Sequence, residues 1–137
     1  MDAAKDKQQI GLTAVGQSAI ERLMATGLFA AEVDAYRCAI AYAVGTGISP
    51  EDAPKGGYET KFNAAGTLDK AGMIRDLIVL LDLGEDGRTY ATAEKLAELG
   101  VQDLDRRLAN HESLGQILQE TQQALRVGPE ASTSPGS

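Results

Sequence analysis

The sequence predicts a mainly α-helical fold with a short N-terminal β-strand, a strand-helix-helix core followed by a small helical C-terminal module. Three observations carry this. Apolar residues recur at spacings of three and four along most of the chain. One short stretch breaks that rhythm: Ile10, Leu12 and Ala14 alternate with Gln9, Gly11 and Thr13, the period of a strand. Ala and Leu are abundant while Tyr and Phe number four and two and Trp is absent, which favours helices packed closely through small side chains. With 43% apolar and 24% charged residues, the 137-residue chain has the composition of a globular protein and not of a disordered one.

Taken in order, Thr13 is placed to cap a helix of about a dozen residues, with Ile20, Leu23 and Met24 on one face and Gly27 to end it. A second helix spans about 30–44, where Val33, Tyr36, Ile40 and Val44 share a face with Ala39 and Ala43, and Gly45 and Gly47 stop it. The Gly- and Pro-rich residues 45–57 form a loop. Tyr58-Glu59-Thr60-Lys61-Phe62 alternates, as a short strand or an extended brace against the core. Thr67 offers the next N-cap, with Asp69 in the first turn favourable to the helix dipole. That helix carries Ile74, Leu77, Ile78 and Leu81, and Val79, Leu80 and Leu83 make it apolar almost all round, so it is expected to be buried, either centrally or against a partner. After the turn Gly84-Glu85-Asp86-Gly87, a helix runs over about 89–99 with Tyr90, Ala93, Leu96 and Ala97 inward and Gly100 ending it. A further helix starts at Gln102 and breaks near His111, where Ser113-Leu114-Gly115-Gln116 has the form of a capping box.

The organisation expected is therefore a core over residues 1–50, a loop or linker over 51–66, an acidic helical module over 67–127 and a disordered tail over 128–137. Charge divides with it. Residues 1–50 hold four basic and five acidic side chains, and residues 51–137 hold nine and fifteen, so almost all of the net −7 lies in the second part. The first strand lacks a partner inside residues 1–50. Either it pairs with the same strand of a second chain across a two-fold axis, or residues 8–13 form an extended arm.

Gln8-Gln9-Ile10-Gly11-Leu12-Thr13, the helix ending at Gly27, and Ala31-Glu32-Val33-Asp34-Ala35-Tyr36-Arg37-Cys38-Ala39-Ile40 resemble the ribbon-helix-helix (MetJ/Arc-type) superfamily. The resemblance implies an obligate dimer whose paired strands enter the DNA major groove. It assigns Gln9, Gly11 and Thr13 to the base-reading face, with Lys5 and Lys7 as an arm toward phosphate, and Ile10, Leu12, Tyr36 and Ile40 to dimerisation. Gly11 has no side chain with which to read a base. The order of Gly47-Ile48-Ser49-Pro50-Glu51-Asp52, Gly57-Tyr58-Glu59-Thr60-Lys61-Phe62-Asn63 and Thr67-Leu68 after such a core is similar to the DndE family of DNA-sulfur-modification proteins.

Chemistry for catalysis is sparse. His111 and Cys38 lie in separate segments with no orienting acid nearby, and there is no phosphate-binding loop, dinucleotide fingerprint or His-x-x-x-His pair. One Cys excludes a disulfide framework and a Cys-based zinc site. The segment from Asp82 lacks the spacing of a calcium loop. A helix-turn-helix reader over residues 100–107 would carry Asp103 and Asp105 against phosphate. No catalytic residue, cofactor or metal is expected. The absence of a long apolar run or a leader-like N-terminus points to a cytoplasmic, non-membrane protein. The sequence thus leads to a dimeric DNA-binding regulator, or an accessory DNA-binding subunit of a modification or antiviral-defence system. The alternative is a non-catalytic interaction and oligomerisation module, self-associating as a homodimer or larger homo-oligomer, with its acidic half open to a protein partner.

Overall fold

The computed structural model describes residues 6–84, 87–117 and 119; Lys5 and the tail over 128–137 lie outside them. Strand β1 (Gln9–Leu12) leads into α1 (Ala14–Ala25) and α2 (Glu32–Thr46). A 3-10 turn (Pro50–Asp52), strand β2 (Glu59–Asn63) and a π turn (Ala64–Leu68) follow, then α3 (Met73–Leu80) and α4 (Thr89–Ala109). The chain becomes helical again at Leu114.

The caps of the first half follow the sequence. Thr13 caps α1, its hydroxyl accepting the Gly16 N–H, and Gly27 turns the chain at φ +76°. The left-handed Gly47 ends α2. After α4 the break falls where it is expected: His111 has φ +67°, and Ser113 Oγ accepts the Gln116 N–H.

The partner of β1 is in the same chain. β2 pairs with it antiparallel, Ile10 opposite Phe62 and Leu12 opposite Glu59, with a bulge between Ile10 and Gly11. A two-fold copy is therefore not what this strand pairs with. The bulge explains Gly11. A Cβ there would sit 1.6 Å from the Glu59 carbonyl oxygen, so only glycine lets β2 approach. Gly11 is accordingly buried, and the strict alternation that put it on the polar face fails at this residue.

The larger departure concerns α4. Gly100 does not end a helix; α4 runs through it for 21 residues. Gly100 lies against α2, where a Cβ would stand 2.2 Å from the Ala39 carbonyl oxygen. Ala35, Ala39 and Ala43 on α2 and Ala93 and Ala97 on α4 are all buried, the small-residue packing that the composition anticipates. One apolar cluster joins Ile10 and Leu12 through Tyr36 and Ile40 to Leu96, Val101, Leu104 and Ile117. Residues of the expected core and of the expected acidic module thus share a single interior, with α4 packed on α1, α2, α3 and β1.

α3 also departs from expectation. Thr67 falls in the π turn and caps nothing. Asp69 acts from outside the helix, its carboxylate accepting the N–H groups of Ile74 and Arg75 at 2.9 and 3.0 Å and the Tyr90 hydroxyl at 2.9 Å. Of α3, only Ile78 is fully buried. Of the two placements expected for this apolar helix, central or against a partner, the central one is not found: α3 lies at the periphery.

Candidate functional site

Two features compete for a functional reading: the strand that the family resemblance matches to a DNA reader, and the exposed face of α3. The strand is committed internally. On its side away from β2, the Gly11 N–H donates to Glu94 Oε2 at 2.8 Å and the Gly11 carbonyl accepts the Tyr36 hydroxyl at 2.9 Å. The Thr13 N–H and hydroxyl donate to the two oxygens of Glu98 at 2.9 and 2.6 Å. Lys7 Nζ lies 2.5 Å from Glu94 Oε1 and over the Tyr58 ring. Of the matched reading residues, only Gln9 is exposed. Ile10, Leu12, Tyr36 and Ile40, matched to dimerisation, are buried within this chain, where Tyr36 also meets Phe62 edge-on at 5.1 Å. Burial and the nearby Glu94 push the Tyr36 hydroxyl well above its ordinary pKa, so it stays a donor.

Among the described acids of residues 51–137, three turn inward: Asp69, Glu94 and Glu98 are 4%, 3% and 0% exposed. Each is fully engaged by donors, and no buried side-chain nitrogen or oxygen among the described residues lacks a partner. These carboxylates hold β1, the start of α1 and the start of α3 in place. Among the described residues, no three His, Cys, Asp or Glu side chains gather to hold a metal ion. Cys38 is half-buried in α2, and burial pushes its thiol up to about 11, a poor nucleophile at neutral pH. No described helix is long and apolar enough to cross a membrane.

α3 is the opposite case. Ile78 anchors it in the core, a burial contributing roughly 1.5–3 kcal/mol. Ile74 and Leu83 pack partly against the same core. On the outer side, Met73 is 73% exposed, Val79 64%, Leu80 80% and Leu81 45%. Between α3 and α2 runs a groove of about 430 Å³ lined by Ile40, Ala41, Met73, Ile74, Leu77 and Leu80, with Arg37 and Asp76 as its charged members. Arg37 is fixed there: its guanidinium donates to the carbonyls of Leu68 and Thr67 at 2.8 and 3.0 Å and pairs with Asp34. The preceding π turn is thereby tied to α2, and the groove keeps its shape. Contiguous exposed apolar side chains of this kind mark interaction surfaces more than they mark ordinary surface.

The apolar run over 73–83 was legible in the sequence, but its periodicity points to burial and not to which side of the helix stays open. Compared with known protein families, curated sequences and solved structures, the chain matches none of them.

Proposed function

We propose that this protein is a non-catalytic interaction and oligomerisation module whose working surface is the outer face of α3, and that the partner is a second copy of the chain. The observation that carries the reading is the exposure of Met73, Val79 and Leu80 beside an apolar groove. Charge favours a second copy. The whole chain carries −7, so most faces of two copies repel each other. α3 carries one Arg and one Asp, Arg75 and Asp76, both exposed and side by side. A two-fold related helix meets each with its opposite, and the apolar residues between them lose water. Self-association then runs through α3 and not through β1, whose edges are taken by β2, Glu94 and Tyr36. The same commitments of Gly11 and Thr13 favour this reading over a base-reading ribbon.

Sedimentation velocity over a concentration series tests it. The wild-type chain is expected to form a dimer. Leu80→Glu is expected to be a monomer with an unchanged circular dichroism spectrum, because Leu80 contributes little to the chain's own core. A wild-type chain that stays monomeric at its highest soluble concentration overturns the reading, as does a Leu80→Glu variant that still dimerises.

A further inference from the structure

α3 brings an oxidisable sulfur to the surface. Met24 and Met73 are the methionines among the described residues, and their surroundings are opposite. Met24, on α1, packs partly buried against the apolar core. Met73 is the first residue of α3, is 73% exposed and lines the groove between α3 and α2. Leu77 and Leu80 follow it at spacings of four and three, so the three side chains form one stripe along the helix, and all of them line the groove. The thioether thus ends the apolar row that dimerisation through α3 removes from water. Met73 is not among the residues packed on the core, so a change at its sulfur leaves the fold intact.

Given self-association through α3 as read above, we propose that Met73 is a modification site, and that its oxidation to the sulfoxide by a peroxide releases the dimer. The sulfur attacks the peroxide oxygen, the O–O bond breaks, and the products are the sulfoxide and water. Sulfur loses two electrons and the peroxide gains them. Susceptibility follows exposure, which puts Met73 ahead of Met24. Cys38 competes poorly for the same oxidant, being half-buried with its thiol pushed up to about 11 by that burial. Oxidation turns a flexible apolar side chain into a polar one. Leu77 and Leu80 beside it carry no donor for the new oxygen, and Arg37 on the groove wall is already turned to the Leu68 and Thr67 carbonyls and to Asp34. Burying an unpaired polar group is unfavourable, and a two-fold interface contains this one twice. A dithiol reverses the change, forming its disulfide and water as the thioether returns. In the dimer the sulfur is shielded, so peroxide reaches it through the monomer.

The test treats the full chain with hydrogen peroxide, locates the added oxygen by peptide mass mapping and follows association by sedimentation velocity. Met73 is expected to take up oxygen well ahead of Met24, with an unchanged circular dichroism spectrum. The dimer dissociation constant is expected to rise about tenfold or more. Oxidation of Met73 is expected to slow as protein concentration passes that constant. Methionine sulfoxide reductase with a dithiol is expected to restore the original value. In Met73→Leu, peroxide is expected to leave the constant where it stood before treatment. A wild-type dimer whose constant does not move once Met73 carries oxygen overturns this proposal and leaves the α3 reading standing. So does uptake at Met24 as fast as at Met73, or a Met73→Leu dimer that peroxide still dissociates. A chain that is monomeric before any treatment overturns the α3 reading itself, and this proposal with it.

Discussion

α4 and α3 exchange the places that their compositions suggest. α4 contains two Glu or Asp residues in each half of its length, yet it is the centre of the molecule. α3 has six apolar residues in eight, yet only Ile78 is buried. The difference lies in what each helix can satisfy. Glu94 and Glu98 stand one turn apart on α4 and offer acceptors spaced to receive the N–H groups of Gly11 and Thr13. A strand with one paired edge needs partners for its other backbone groups, and these carboxylates supply them. Gly100 then lets α4 come down onto Ala39. α3 has neither device. It is short, capped by Asp69 from outside, and left with more apolar surface than the core takes up. Polarity of composition is thus a poor guide to depth when the polar groups have dedicated partners.

The contrast breaks most severely at Glu98. Glu98→Ala removes the acceptor for the Thr13 N–H, the Thr13 hydroxyl and Gln102, and is expected to cost about 3 kcal/mol of stability in urea unfolding. If the variant is as stable as the wild type, the carboxylate seam does not hold α4 in place. Next in size is Gly100→Ala. The added methyl overlaps the Ala39 backbone, and about 2 kcal/mol is the expected loss, measured by thermal or chemical unfolding. A stabilising effect, as for an ordinary exposed helix glycine, would show that the two helices do not touch there.

A smaller effect is expected at the outer edge of α4. Burial works to raise the Asp103 carboxyl, but hydrogen bonds from Tyr42 and Arg106 and the charge of Arg107 outweigh it and hold the group below its ordinary 3.8. A lowered carboxylate pKa adds stability that is present above 3.8 and lost as the pH falls through the folded value. Urea midpoints of wild type and Asp103→Asn are therefore expected to differ at neutral pH and to converge in acid; a gap independent of pH would contradict this. Smallest of all is Val79→Ser on α3, expected to move chain stability by no more than about 0.5 kcal/mol because that side chain is already in water. A large loss would mean that α3 is part of the core after all.

Local features were legible in the sequence because their causes are local. Thr13 caps α1 through a bond three residues away, Gly27 and Gly47 adopt positive φ where helices end, and Ser113 restarts the helix after His111. The alternation over 58–62 suited either a short strand or an extended brace, and the abundance of Ala suited close helix contacts. What misled was a residue with more than one possible use. Gly100 has the form of a helix stop but serves a helix crossing. Gly11 has the form of a weak outward strand position but serves a bulge. Asp69 is placed for a first-turn role but acts as an external cap. Of the candidate interaction face, the apolar residues were visible and their exposure was not.

The sequence by itself determined the helical class, the turns, the short alternating segments and the abundance of small residues suited to close packing. These follow from backbone preferences and from spacings within a few residues. Only the tertiary structure decided which strand pairs with β1, that α4 is continuous and central, and that α3 is left outside. Those outcomes depend on partners about 50 to 90 residues apart in the chain, such as Gly11 with Thr60 and with Glu94. The competition among such partners for one edge and one interior is settled by geometry that no local pattern contains.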